Sequence, residues 1–183
     1  PAPARPAAFR FPPYLPRLRA EGRALLTVQA VLLPYESVHT NFTVPQPDGH
    51  GHFSASSNGL ASGNHLLEAI THGLSELVER DATALWNLRG PNRVKRGRLE
   101  LATVDDPTCQ ALLEKFIEAG VSVAVWDVTS DIGLPVFACF ILPTQESQLE
   151  HSSMVAAGFG CHPSRAVALA RALAGAAQSR LPL

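Results

Sequence analysis

The stretch SSNGLASGNHLLEAITHGLSELVERDATALWNL, residues 56–88, decides how this chain is expected to fold. Its first residues are small, polar and rich in Gly, Ser and Asn, which is typical of a loop. The remainder runs without Pro for about six helical turns, and Asn64 is a favourable N-cap residue. The stretch therefore predicts a loop followed by one long α-helix.

The residue spacing divides this predicted helix into two faces. At about 100° per residue, Glu68, Glu76 and Glu79 fall in one narrow stripe. His72 lies on the same stripe, where a solvated polar side chain is a simpler interpretation than a role in orienting a carboxylate. We expect the opposite, apolar face to be buried and the carboxylates to be presented. The apolar face consists of Leu67, Ile70, Leu74, Leu77, Val78, Leu85 and Leu88.

Three carboxylates in one stripe repel one another. Each pair costs roughly tenths of a kcal/mol in water, and more where water is excluded. An open, solvated acidic face tolerates this repulsion, and most charge runs are of that kind. A cleft tolerates it only with a cation such as Mg²⁺, which takes carboxylate oxygens and is often shared with phosphates. Periodicity alone leaves both interpretations open.

Length and composition restrict the class of protein. The 183 residues, 46% of them hydrophobic, suffice for the core of one domain. A net charge of −1 gives no sign of a nucleic-acid partner. No apolar run reaches the roughly 18 residues that a membrane helix needs. Three widely spaced cysteines, Cys109, Cys139 and Cys161, indicate a reducing, cytoplasmic location.

Outside the central stretch, apolar runs and turn residues predict further strands and helices. We expect strands at 24–33, 121–128 and 134–142, a further strand-like segment at 154–160, and helices at 107–119 and from 163 or 164 to 180. Residues 1–20 are rich in Pro and predict an extended lead-in to one domain over 21–183. The expected class is α/β of the α+β type, with a mixed, mostly antiparallel sheet and helices packed on one side.

SNGLASGN at residues 57–64, followed by the spacing E-x7-E-x2-E-R-D, closely resembles the YcaO family. The resemblance continues through VAVWDVTSDIGLPVFACF, residues 123–140, and GFGCHPSRAVALARALAGAAQSR, residues 158–180. It implies a YcaO-like fold and an enzyme that uses ATP and Mg²⁺ to phosphorylate a peptide backbone amide oxygen. Attack by a Cys, Ser or Thr of the peptide then gives an azoline (thiazoline or oxazoline), whereas an external sulfide donor gives a thioamide.

The resemblance also implies roles for single residues. The metal-binding glutamates of the family correspond to Glu68, Glu76 and Glu79. The nucleotide-binding positions correspond to Ser57, Asn58, Arg80, Arg171 and Gln178. The expected substrate is a ribosomal peptide, with an E1-like or TfuA-like protein as a partner for its delivery. Self-association is a further expectation, and no nucleic acid or membrane is expected as a partner.

Departures from the family pattern leave a second function open. The closing motif, R-A-L-x-E-x-x-Q-x-R, has Gly175 here in place of its usual Glu, which removes one anionic group. We also expect the chain to lack the family's N-terminal segment and the Pro-rich tail of azoline-forming members. The alternative is a non-catalytic YcaO-like scaffold that binds a peptide or a partner protein. The intact run of three carboxylates favours the enzyme, and the choice of azoline, thioamide or amidine product stays open.

Overall fold

The computed structural model describes residues 18–90, 94, 96–142 and 156–180. Contacts between residues divide the chain into two compact units, Pro1–Leu60 and Ala61–Leu183. Most of the predicted Pro-rich lead-in lies outside the described residues. The predicted boundary between lead-in and domain after residue 20 therefore stays a prediction.

The first unit contains an antiparallel hairpin of β1 (Arg19–Arg23) and β2 (Ala30–Pro34). The predicted buried strand over residues 24–33 is thus corrected, because its first six residues form the hairpin turn. Val28 adopts a left-handed backbone conformation with φ 58°, which reverses the chain. Leu26, in the same turn, is 98% exposed, so the apolar run does not mark a buried strand.

A buried glutamate organises the segment that follows the hairpin. Glu36 lies in the short 3-10 helix Tyr35–Ser37 and is 1% exposed. Its Oε1 accepts hydrogen bonds from the backbone N–H groups of Gly51 at 2.8 Å and His52 at 3.1 Å. Burial by itself raises the pKa of Glu36, but the backbone hydrogen bonds outweigh it and hold the pKa below its usual value. The ionised carboxylate therefore anchors this turn-rich loop.

The second unit is built on a three-stranded antiparallel sheet in the order β3-β4-β5. Its strands are β3 (Val123–Asp127), β4 (Val136–Ile141) and β5 (Ala157–Cys161). The first two confirm the two strongest predicted strands, whose β-branched and aromatic residues fit a pleated, buried surface. Within the described residues, β5 lies at one edge of the sheet, which leaves outward-facing backbone groups for side chains to satisfy.

Helices cover both faces of this sheet. α2 (Pro107–Glu118) and α3 (Arg165–Arg180) pack on the face that contains Val125. α1 (Leu66–Leu88) packs on the opposite face, against Trp126. The mixed α/β class with antiparallel strands is confirmed, and the expectation that all helices pack on one side is corrected. No helix among the described residues has both the length and the apolar character needed to cross a bilayer.

Two glycines bring α3 unusually close to β5. A Cβ atom at Gly158 would overlap the backbone nitrogen of Ala176, and one at Gly160 would overlap the carbonyl oxygen of Ala168. Only glycine permits this approach, because any side chain there would push the helix away from the strand. The close packing places the first half of α3 beside the end of β5, where the candidate site lies.

Candidate active site between α1, β5 and α3

The face of α1 that carries the carboxylate stripe is the one that meets the sheet. Ser75, Ala82 and Trp86 are all at most 4% exposed and lie within about 40° of one another around the helix. Glu79 lies on the same side and is half-buried. The carboxylates are therefore not on an open surface, at least in the second half of the helix.

The apolar face of α1, expected to be buried, is exposed instead. Its leucines keep between 42% and 82% of their accessible surface: Leu67, Leu74, Leu77, Leu85 and Leu88. The acidic face packs against the sheet instead, because Trp86 on that face contacts aromatic rings of the sheet. The Trp86 ring centroid lies 6.1 Å from that of Trp126 and 5.9 Å from that of Phe140. Helical periodicity describes α1 alone, so it could not predict which face of the helix packs against the sheet.

Burial sets the electrostatics of Glu79. Partial desolvation raises the pKa of this carboxyl above its usual value, and the neighbouring carboxylate of Glu76 raises it further. The charge of Arg80, a backbone hydrogen bond from Cys161 and the charge of Arg171 oppose the shift without cancelling it. A carboxylate in this position is stabilised by any additional positive charge that reaches it.

The peptide group of Cys161, at the end of β5, lies between the carboxylate of Glu79 and the guanidinium of Arg171. Its backbone N–H hydrogen-bonds Glu79, and its carbonyl oxygen accepts a hydrogen bond from Nη1 of Arg171 at 3.4 Å. The Cys161 thiol is buried, and burial raises its pKa to about 11, with Glu79 also raising it and Arg171 lowering it. Sequence reasoning missed this residue as part of the site, since backbone groups leave no signature in the residue types.

Glu76 and Arg80 form an ion pair one helical turn apart. Oε1 of Glu76 lies 3.3 Å from Nη2 of Arg80, and the side chains are 21% and 57% exposed. Such a pair contributes little to stability, since water and salt screen it. It holds the guanidinium beside the two carboxylates and leaves more than half of the arginine side chain accessible to a ligand.

Glu68 lies apart from the other two glutamates. It is exposed, and its Oε2 accepts a hydrogen bond from the Asn64 N–H at 2.7 Å. The N-cap of α1 is His65, whose Nδ1 accepts from the Leu67 N–H at 3.1 Å, rather than the predicted Asn64. Glu68 precedes Glu79 by eleven residues, a rise of about 16 Å along the helix, which is too far for both to hold one ion.

The described residues contain no group of three or more His, Cys, Asp or Glu side chains close enough to hold a metal ion. The arrangement therefore offers Glu76 and Glu79 as a pair and Glu68 as a separate carboxylate. Their assignment as metal ligands stays a prediction, and any shared ion at the pair would need further oxygen ligands from a nucleotide or from water.

The three remaining predicted site residues are Gln178, Ser57 and Asn58, and the structure shows their positions but not a role for them. Gln178 is exposed on α3, two turns after Arg171. Ser57 and Asn58 belong to the first unit and form a turn, in which the Ser57 carbonyl accepts from the Leu60 N–H at 3.0 Å. Their part in nucleotide binding stays a prediction.

The family model for YcaO cyclodehydratases, described as ATP- and Mg²⁺-binding, matches residues 4–183. This chain belongs to the YcaO family. An uncharacterised protein in the tfuA 3′ region of Rhizobium leguminosarum bv. trifolii is 40% identical to it over 162 residues, which are 87% of this chain and 38% of that protein. This YcaO chain therefore spans well under half the length of that relative.

Solved structures agree with the family assignment. A heterocyclase in complex with substrate and cofactor is 32% identical, with a TM-score of 0.72 over 90% of this chain and 21% of that chain. YcaO from Methanopyrus kandleri, bound with AMPPCP and Mg²⁺, is 26% identical, with a TM-score of 0.70 over 97% of this chain and 43% of that chain. The predicted family and fold are thus confirmed.

Proposed function

We propose that this YcaO chain forms part of an ATP- and Mg²⁺-dependent enzyme that activates a peptide backbone amide by O-phosphorylation. The observation that carries the proposal is the half-buried Glu79 beside Glu76. Burying a carboxylate next to a second one costs free energy, and a hard divalent cation is the ligand that would offset it. The family's description as ATP- and Mg²⁺-binding supports the same cation and nucleotide.

The residues of the second unit divide into ligands for a cation and partners for phosphate. Glu76 and Glu79 would hold one Mg²⁺, and Glu68 lies far enough along α1 to serve a separate ion. Arg80 and Arg171 would hydrogen-bond phosphate oxygens, for which the planar guanidinium is well shaped. When bound, Mg²⁺ neutralises charge on the phosphates. From the family resemblance, we assign further nucleotide contacts to Ser57, Asn58 and Gln178.

The reaction needs no nucleophile from this chain. The amide oxygen takes the γ-phosphoryl group of ATP and ADP leaves. A Cys, Ser or Thr side chain of the peptide then loses its proton and attacks the amide carbon, phosphate departs with the former amide oxygen, and the amide nitrogen loses its proton to form the C=N bond of the azoline. The chain's three cysteines are all buried, and burial raises their pKa values to about 11 for Cys109 and Cys161 and about 12 for Cys139. Thiols in that state are poor nucleophiles.

Two similar proteins support the choice of partners. The heterocyclase was solved with a substrate bound, and the rhizobial relative lies in a tfuA region. We infer a ribosomal peptide as the substrate, a TfuA-like or E1-like protein as the partner that delivers it, and a cytoplasmic location. With an external sulfide donor the same activated amide would give a thioamide.

Isothermal titration with Mg·ATP tests the proposal. We expect saturable heat at submillimolar to millimolar nucleotide, which disappears when EDTA removes Mg²⁺. Glu79→Gln and Arg171→Ala should each weaken binding at least tenfold, because each removes a charge from the site. Asp81→Asn is the matched control, since Asp81 lies on the other face of α1 and its loss should leave the affinity within twofold.

A second candidate function is a non-catalytic scaffold that binds a peptide or a partner protein. Gly175 favours it, because the family's glutamate is missing from α3 at that position. A folded sample that gives no heat at millimolar Mg·ATP would contradict the enzyme proposal for this chain. Retained binding of a substrate peptide in the same sample would then favour the scaffold.

A further inference from the structure

The exposed face of α1 has the spacing of a coiled-coil seam. Successive steps of three and four residues connect one line of positions along the helix. A step pattern of this kind has a period of 3.5 residues, which is the spacing that allows one helix to pack lengthwise against another. The positions are Leu67, Ile70, Leu74, Leu77, Asp81, Ala84 and Leu88, and we call them the heptad face.

The heptad face is exposed over most of its length. Leu67 is 65% exposed, Leu74 53%, Leu77 46% and Leu88 82%. From Leu67 to Leu88 the face is about 32 Å long. Scattered apolar residues on a surface need no explanation, but an exposed, mostly apolar stripe of this length marks an interaction site.

A single acidic residue interrupts the apolar stripe. Asp81 occupies a core position of the seam, and within the described part of the chain it has no ion-pair partner. A charge enclosed in a helix–helix seam costs free energy unless an opposite charge meets it. A single polar residue at such a position also sets the register of the partner helix. The chemistry of the face therefore calls for a cation on the incoming helix.

We propose that the heptad face is the docking site for one amphipathic α-helix that carries a Lys or Arg opposite Asp81. We assign this helix to the part of a family-length YcaO chain that lies outside these 183 residues. This chain covers 38% of the rhizobial relative and 43% of the archaeal YcaO chain, so a family-length chain has ample further sequence to supply it. The proposal is independent of nucleotide binding, because the face lies on the other side of α1 from Glu79.

A second copy of the same chain fits the heptad face poorly. Parallel pairing in register would place Asp81 against the Asp81 of the second copy, which sets two like charges together. Antiparallel pairing that matches Leu74 with Leu77 would place Asp81 against Ile70, which leaves the carboxylate without a partner. Both arrangements bury an unpaired charge, whereas a different helix with a basic residue does not.

Fluorescence anisotropy with a synthetic helix tests the chemistry of the site. The probe is a labelled 24-residue peptide with Leu at its heptad core positions, one Lys at the layer facing Asp81, and Glu at the flanking positions to keep it monomeric. We expect micromolar binding to the 183-residue chain. A matched peptide with Glu in place of that Lys should bind at least tenfold more weakly. Asp81→Lys in the chain should reverse this preference.

Two further variants show which surface the probe occupies. Leu74→Asp combined with Leu77→Asp should abolish binding, and both sites are exposed enough for the chain to stay folded. Ile117→Asp is the matched control, since Ile117 is a 75% exposed residue on α2 and its loss should leave the affinity unchanged. Absence of binding, or equal binding of the Lys and Glu probes, would overturn the proposal. So would a concentration-dependent dimer of the chain alone that the double variant abolishes, since a second copy would then be the occupant.

Thiol labelling tests the source of the helix. The native cysteines of this chain are buried, so Leu77→Cys supplies a resolvable reactive thiol. In the full-length rhizobial relative, a single cysteine at the residue aligned with Leu77 should react with maleimide at least a hundredfold more slowly than in this chain. Equal rates in the two proteins would refute an origin of the helix within the family-length chain.

Discussion

The two faces of α1 differ in a way that their residue types do not suggest. The sheet-facing side holds small residues, carboxylates and one large ring, Trp86, and it is buried. The heptad face holds more leucine than any other surface of the helix, and it is exposed. Apolar periodicity identifies a helix face suited to burial. Whether that face is buried also depends on the surface that is available to cover it. In this chain the sheet meets the acidic face, and the heptad face has no comparable partner among the described residues.

The difference in burial between the two faces of α1 affects how its carboxylates can attract a cation. Because Glu79 lies against the end of β5, its carboxylate is partly shielded from water and is placed near Arg171, with Glu76 one turn away on the same side of α1. On the exposed face the same charges would be solvated and would attract a cation only weakly. The orientation of one helix therefore converts an ordinary acidic stripe into a candidate ion site.

The largest expected effect comes from removing the ring that fixes the orientation. Trp86→Ala should lower the free energy of unfolding by about 3–5 kcal/mol, because it empties a buried site between Trp126 and Phe140. Leu88→Ala, two residues later on the heptad face, should change it by no more than about 0.5 kcal/mol. Urea denaturation followed by circular dichroism measures both. Equal decreases in the free energy of unfolding would show that the two faces of α1 are buried to the same extent.

The next effect tests the contact between α3 and β5. Gly160→Ala should cost about 1–3 kcal/mol and weaken Mg·ATP binding, because the added methyl pushes α3, and Arg171 with it, away from Cys161. Binding of the synthetic helix to the heptad face should not change. Gly175→Ala is the control: its Cβ would lie 3.4 Å from the Cα of Gly158, so the substitution should stabilise the helix by up to about 1 kcal/mol. A destabilised Gly175→Ala variant would contradict this packing.

A smaller effect concerns pH. Since the pKa of Glu79 is raised in the folded state, the native protein binds this proton more tightly than the unfolded chain does. The free energy of unfolding should therefore fall as pH rises from the ordinary carboxyl pKa through the raised one, by at most about 1 kcal/mol because the group is partly exposed. Glu79→Gln should remove this fall, and Asp81→Asn should keep it. Urea titrations between pH 4 and 8 give the comparison, and identical profiles for the two variants would refute it.

The smallest expected effect on stability falls on the heptad face. Leu77→Gln should change the free energy of unfolding by less than about 0.5 kcal/mol, since the residue is 46% exposed. The same variant should weaken binding of the synthetic helix at least tenfold. Urea denaturation and anisotropy on one preparation separate the two quantities. A loss of 2 kcal/mol or more would show that the heptad face is already packed within this chain.

The amino-acid sequence and the tertiary structure determine different features of this protein. The amino-acid sequence alone determined the long helix after residue 64, the three strands of the second unit's sheet, both shorter helices and the YcaO family, because each depends on local propensity, periodicity or a contiguous motif. It missed the turn at Val28, where an apolar run changes direction through one left-handed residue.

Only the tertiary structure decided which face of α1 meets the sheet, and that Glu68 stands apart from Glu76 and Glu79. It also decided that the peptide group of Cys161 links Glu79 to Arg171. The physical reason is the same in each case. Burial and hydrogen bonding between distant segments depend on matching surfaces and on backbone groups that every residue shares, so the order of side chains along one segment does not reveal them.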